Sequence, residues 1–298
     1  MNLLLTGGTG LVGRNVIKSL PDADITVLTR DTEAAAKVLP DRVKLVSALS
    51  EIPDFSVFDG VINLAGEPIA DKRWTPLQKQ RICQSRWDIT AQLVSRINAC
   101  DSPPSVFLSG SAIGYYGRQG DKIVTEASHQ VHDEFTHQVC AKWENLAGGV
   151  KKEETRVCLL RTGVVLTEEG GALPKMALPF KFGVGGKISD GEQYLSWIHI
   201  DDMVQAILFL LNDPNASGAY NLTAPEPQTN AAFSSTLART LHRPNLFFVP
   251  AFVMKLVLGE AADMILTGQR VLPDKLTKAG FRFTYPTLDV ALKEIYNN

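Results

Sequence analysis

Short apolar runs alternate with amphipathic stretches through the first half of the chain. The runs at Asn2–Thr6, Asp24–Thr29, Val43–Val46, Gly60–Leu64, Ser105–Ser109 and Arg156–Arg161 read as strands. Several are continuous in Val, Ile and Leu, the pattern of strands covered on both faces. Leu11–Leu20, a long stretch from about Thr75 to Ala99, and Glu134–Gly148 carry helical periodicity. This strand–helix alternation predicts an α/β fold, a Rossmann doubly wound parallel sheet.

After Arg161 the texture changes. Glycines cluster at Gly170-Gly171 and at Gly183, Gly185, Gly186 and Gly191, as in loops over a site. A strand is expected at Tyr194–Ile200, followed by a helix capped by one of the pair Asp201-Asp202. Beyond Asn230 the chain reads as mostly helical, with prolines at 244, 250, 273 and 286. The expected division is a dinucleotide-binding core over residues 1–165, to which the strand and helix within 194–222 return. Residues 166–193 and 223–298 form a smaller, mostly helical substrate region.

Composition narrows the function. With 298 residues, 45% apolar and 21% charged, the chain has the make-up of a globular protein. A net charge of −2 with no basic stripe gives no pull toward nucleic acid or an anionic membrane, so neither is an expected partner. Cys83, Cys100, Cys140 and Cys158 show no CxxC spacing, which argues against a zinc cluster and for a reducing compartment. No apolar run has the length of a signal-peptide core or a membrane span. A cytoplasmic protein is expected.

The chemistry begins at Thr6-Gly7-Gly8-Thr9-Gly10-Leu11-Val12-Gly13, between the first strand and first helix. Glycine is needed there for a tight turn, for close backbone approach to a phosphate, and for helix–strand packing. The helix start then offers unpaired N–H groups to a pyrophosphate. The second strand ends in Thr29-Arg30, a hydroxyl and a guanidinium suited to the 2′-phosphate of NADP. Asp31 follows, and a shifted register would bring it to the ribose of NAD instead.

Further motifs run the length of the chain: Asn63-Leu64-Ala65-Gly66-Glu67, Arg73-Trp74, Ser85-Arg86 with Thr90, and Ser109-Gly110-Ser111 with Gly114-Tyr115-Tyr116-Gly117. Trp143-Glu144, Arg161-Thr162-Gly163, Trp197-Ile198-His199-Ile200-Asp201-Asp202 and Gly268-Gln269-Arg270 complete the set. In this order the motifs resemble the extended short-chain dehydrogenase/reductase superfamily, and within it the epimerase family branch of YfcH-like proteins. The resemblance implies an NADP-binding Rossmann domain acting on a small-molecule substrate, by oxidoreduction or by epimerisation. It places Leu64, Ala65 and Gly66 beside the adenosine, and Arg81 and Arg86 among the cofactor contacts. Leu160, Arg161 and Thr162 would pass the nicotinamide end. Related extended enzymes often pair through helices, so a homodimer is possible. Some relatives carry cell-division-related labels, which makes a cofactor-loaded partner-binding protein the rival reading.

The resemblance breaks at the proton carrier. Superfamily catalysis uses a Ser, matched by Ser111, and a Tyr-xxx-Lys pair on the following helix. Aligning on Lys142 puts Gln138 at the tyrosine position; aligning on Glu144 puts Thr136 and Cys140 at the tyrosine and lysine positions. Neither register holds a tyrosine. The expected replacement is Tyr116, or else Tyr115, with its phenol tuned by Lys142 or by the cofactor's charge. The alternative is that both tyrosines are packing residues. His129, His132 and His137 lie in one segment but lack metal-ligand spacing, so no metal is expected.

Overall fold

A computed structural model describes residues 1–297. The chain opens as β1 (Asn2–Thr6), α1 (Leu11–Lys18), β2 (Asp24–Leu28), α2 (Thr32–Ala36), β3 (Lys44–Val46) and β4 (Gly60–Asn63). It continues with α3 (Pro76–Asn98), β5 (Val106–Ala112), β6 (Ile123–Val124), α4 (Phe135–Ala147) and β7 (Arg156–Thr162). Next come β8 (Val164–Leu166), α5 (Leu173–Lys181), β9 (Gly186–Ile188), β10 (Tyr194–Leu195), β11 (Trp197–His199), α6 (Ile200–Asn212) and β12 (Gly218–Leu222). The last stretch holds β13 (Gln228–Thr229), α7 (Asn230–Thr240), β14 (Phe247–Val249), α8 (Ala251–Leu258), α9 (Asp263–Leu266), β15 (Arg270–Val271), α10 (Asp274–Lys278) and α11 (Leu288–Asn297).

Seven strands form one parallel sheet in the order β12-β7-β5-β4-β1-β2-β3. The chain reverses direction across the sheet between β1 and β4, and the crevice at their carboxyl ends is where ligands bind in open α/β sheets. The apolar runs behave as strands buried on both faces. Leu3 and Leu5 face α1 and α6 with Val16, Ile17 and Ile207, whereas Leu4 and Val61 face α3 with Leu93 and Ile97. Local signals set the helix ends. Thr75 caps α3 by accepting the Gln78 N–H at 3.2 Å, and Pro76 occupies the first turn, where its missing N–H costs nothing.

A second lobe gathers α5, α7 and α11 around Trp197 and Phe233. The run at 194–200 is broken into β10 and β11 at Ser196, whose hydroxyl donates to the Gln269 carbonyl and accepts the Val271 N–H. The helix after it is not capped by an aspartate. His199 Nδ1 accepts the Asp201 N–H at 3.1 Å, and both aspartates lie in the first turn of α6. Asp202 instead accepts the Thr284 and Tyr285 N–H groups, fastening the C-terminal segment to the core. Among the described residues no helix is long and apolar enough to cross a membrane.

Candidate functional site

Gly7 leaves β1 at φ +71°, and a Cβ there would lie 2.5 Å from the Leu64 carbonyl oxygen. Gly13 sits in the first turn of α1, where a Cβ would meet the Gly7 carbonyl oxygen at 2.3 Å. Only glycine lets the turn, the helix and the β4 loop come this close. Gly10 is the N-cap of α1 and brings no side chain to it, so the first-turn N–H groups of Leu11, Val12 and Gly13 remain open to an anion. Thr6 couples the two turns: its hydroxyl donates to Asn63 Oδ1 at 2.7 Å and accepts the Ala65 N–H at 3.2 Å.

A cleft of about 860 Å³ opens along this edge. Gly7, Thr9, Gly10, Thr29, Arg30, Leu64, Ala65 and Gly66 all line it, and Ser47, Ala48 and Leu49 extend it on the β3 side. Of the start of α1 only its N-cap, Gly10, lines the cleft; Leu11, Val12 and Gly13 do not. Asp31 lines the cleft too, but its carboxylate accepts the Ala34 N–H at 2.8 Å as the N-cap of α2. Arg30 is exposed beside it. A cradle that a Cβ would fill and an open helix start fit a dinucleotide.

Other residues singled out in the sequence fall elsewhere. Arg81 is exposed on α3 and outside the cleft lining. Arg86 lies under Gly66, with its guanidinium carbon 2.9 Å from where a Gly66 Cβ would be. It donates to the Ile82 carbonyl and rests 5.3 Å from the Trp143 ring, and burial pulls its pKa below the ordinary arginine value. Leu160 is fully buried in the core, and Thr162 donates back to the Leu160 carbonyl.

Beneath the carboxyl ends of β5 and β7 lies a buried polar network. Ser111 Oγ donates to Glu144 Oε1 at 2.6 Å. Arg161 donates to both Glu144 oxygens at 2.8 Å, and the two side chains are 7% and 8% exposed. Burial works against the Arg161 charge, but the bonds to Glu144 outweigh it and hold the guanidinium pKa above its usual value. Arg161 also donates to the Tyr116 hydroxyl at 2.9 Å, which in turn donates to Asn221 Oδ1 at 2.8 Å. Glu126 accepts the Asn221 N–H and so brings the β6 loop into the same cluster.

This network corrects the expectation for the tyrosines. Tyr116 is 0% exposed, its phenol is tied on both sides, and burial pushes its pKa upward, so it is a support for Arg161 and not a proton relay. Tyr115 is half-buried and lies face-on to Arg161, with the guanidinium carbon 3.6 Å from its ring centre. Lys142 is no partner to either phenol. It is exposed on the outer side of α4, with Nζ 4.0 Å above the Trp87 ring. At the expected tyrosine and lysine positions, Thr136 packs against Gly114, and Cys140 is buried with its thiol pushed up to about 12. Glu144 entered the sequence reading only through the Trp143-Glu144 motif and as an alignment point, without a role, and Asn221 and Glu126 escaped it, because no spacing links residues on separate elements.

His137 Nδ1 contacts the Tyr115 carbonyl, and the His132 N–H donates to the Tyr116 carbonyl, bracing the tyrosine loop. His199, Asp201 and Glu294 lie close enough to share an ion. However, His199 Nδ1 already accepts a backbone N–H, so Nε2 carries the proton and donates to Glu294 Oε2 at 2.8 Å. This set is a tie between α6 and α11.

Residues 3–223 match the family model for the NAD dependent epimerase/dehydratase family, and residues 249–295 match a domain of unknown function, DUF1731. The chain is 41% identical over 297 residues to the epimerase family protein SH2119 of Staphylococcus haemolyticus, covering 98% of each. Among solved structures, it is similar to the human epimerase family protein SDR39U1 (isoform 2) with NADPH. That match has a TM-score of 0.90 and 30% identity over 100% of both chains. It also matches a nucleoside-diphosphate sugar epimerase from Corynebacterium glutamicum, with a TM-score of 0.79 and 28% identity over 99% of this chain and 58% of that one. A UDP-glucuronic acid 4-epimerase from Bacillus cereus, at 16% identity and a TM-score of 0.78, shares the fold.

Proposed function

Because the chain belongs to the NAD dependent epimerase/dehydratase family, we propose that it is an NADP-dependent oxidoreductase or epimerase acting on a small polar or nucleotide-linked substrate. When bound, the cofactor supplies a reversible hydride donor and acceptor. The observation that carries the NADP preference is the position of Asp31. One oxygen of its carboxylate is committed to the α2 N-terminus, which weakens the acid that would favour an unphosphorylated ribose, and the exposed Arg30 beside it suits a 2′-phosphate. The human relative with NADPH supports the same preference.

Ser111 and Tyr115 are the groups assigned to the substrate. Ser111 stands at the carboxyl end of β5 with its single proton given to Glu144, so it meets the substrate as an acceptor. A substrate hydroxyl is the group that fits it, and Glu144 stands next in line for the proton. Arg161 holds Glu144 from behind, and Tyr116 and Asn221 hold Arg161. The four free cysteines support a reducing, cytoplasmic setting.

One observation favours the second reading, a cofactor-loaded partner-binding protein without turnover. The helix that should carry the proton donor offers Thr136 and a Cys140 thiol whose pKa is far too high to serve near neutral pH. Calorimetric titration with NADPH and NADH tests the first reading. Wild type prefers NADPH, and Arg30→Ala reduces that preference by about ten- to a hundredfold, as for loss of a charged hydrogen bond. Equal affinities in wild type overturn the NADP assignment. Turnover over a panel of sugar nucleotides and small hydroxy and carbonyl compounds supports the enzyme. Stoichiometric retention of NADPH with no turnover supports the binder.

A further inference from the structure

The C-terminal lobe carries a surface that the cofactor site does not use. Phe182, Val184, Leu246, Phe247, Phe248, Phe252, Leu256 and Val257 are each more than half exposed, from 54% at Phe247 to 82% at Leu246. Seven of the eight residues of α8 are apolar, and none is buried. The segments adjoin one another around β14. β14 pairs with β9 in parallel, Phe247 opposite Gly186, so Leu246 stands next to Gly185 and Val184. The strand then runs through Pro250 directly into α8, where Phe252 and Leu256 share a face. Phe247 and Phe248 point to opposite faces of this two-stranded ribbon, and both are exposed.

The ribbon also has an open edge. Ile188 on β9 is closed off by Asn230 Oδ1 and by the Gln193 side chain. On β14, the Val249 carbonyl accepts the Ser189 N–H, which turns Val249 toward β9. Alternate residues of a parallel strand bond to opposite sides, so the N–H and carbonyl of Phe248 point away from β9. Among the described residues nothing pairs with them. An apolar strand with an unpaired edge is a template for another strand.

We propose that this face is the contact between two copies of the chain, paired about a two-fold axis through β14. The exposed side chains offer on the order of 900 Å² in total, divided between α8 and the two faces of the ribbon. Ordinary monomers expose patches of about 300–600 Å², and a stable interface needs about 800 Å² per partner. Antiparallel pairing of β14 with its own copy satisfies Phe248 on both chains at once, as an isologous interface requires. The exposed Arg243 and Lys255 would also suit an anionic bilayer. Insertion there, however, would bury the Phe248 backbone groups without partners, whereas a second strand pairs them. The exposed positions of α4 are polar (Gln138, Lys142, Asn145), so this helix offers no rival apolar face of this kind.

Sedimentation velocity of the full chain, from about 1 to about 100 µM, tests the inference. The expected result is a species of twice the chain mass. Phe248→Lys and Phe252→Glu each raise the dimer dissociation constant by about tenfold or more while NADPH titration stays unchanged, showing that the variants are folded. A wild type that stays monomeric over the whole range overturns the inference. So does a dimer that survives both substitutions, or a monomer that floats with phosphatidylserine vesicles.

Discussion

Replacing Glu144 by alanine removes both acceptors of the Arg161 guanidinium and the partner of Ser111 in one step. Arg161 cannot turn to water, because its side chain is only 7% exposed and is held under the Tyr115 ring. It keeps only the Tyr116 hydroxyl, a neutral acceptor at 2.9 Å. Leaving one member of a buried ion pair uncompensated costs about 3–5 kcal/mol. At about 2 °C per kcal/mol for a chain of this length, the thermal midpoint falls by roughly 6–10 °C. Urea unfolding followed by tryptophan fluorescence measures the change, with an unchanged slope confirming that the unfolded state is the same. The double variant Glu144→Leu/Arg161→Met removes both charges and fills the space with apolar atoms, so it loses less stability than Glu144→Ala alone. A single variant within about 1 kcal/mol of wild type would refute the reasoning, since that is the loss of an ordinary neutral hydrogen bond. Additive losses in the double variant would refute it equally, because they would mean the two side chains do not act as a pair.

Other outcomes follow from the same geometry. Gly13→Ala forces a Cβ to within 2.3 Å of the Gly7 carbonyl oxygen, so the turn must open; NADPH affinity measured by calorimetry falls at least about tenfold. Asp31→Ala removes the α2 cap and about 1 kcal/mol of stability in urea titration, but leaves the NADPH-over-NADH preference in place, since the carboxylate serves as a helix cap. The Cys140 thiol is raised by burial from 9.0 to about 12, so across that window the unfolded chain releases a proton that the folded chain keeps. Stability therefore falls as pH rises, by about 1.4 kcal/mol per unit from this group, and Cys140→Ala flattens the slope by that amount in unfolding curves taken between pH 9 and 11.

What the chain determined on its own was whatever depends on near neighbours in sequence. Continuous Val, Ile and Leu runs mark β1, β4 and β7 because strands covered on both faces have no polar side to show. Gly7, Gly10 and Gly13 mark the cofactor turn, because their spacing alone sets how closely strand, helix and loop approach. Thr75-Pro76 marks the start of α3 for an equally local reason. The tertiary structure decided everything that depends on separate elements meeting. Asp31 follows Arg30 closely enough for a shifted register to bring it to the ribose, and only the fold shows the Ala34 N–H bonded to it as a helix cap. The run at 194–200 looks continuous, but Ser196 breaks it by bonding to a strand some seventy residues away. Tyr116 sits where a proton donor was wanted, yet Arg161 from β7 and Asn221 from β12 bury and tie its phenol. Glu144 had no visible role until β5 and β7 brought Ser111 and Arg161 to its two oxygens. A side chain's charge state, exposure and partners belong to the space between elements, and the periodicity of a single element carries no record of them.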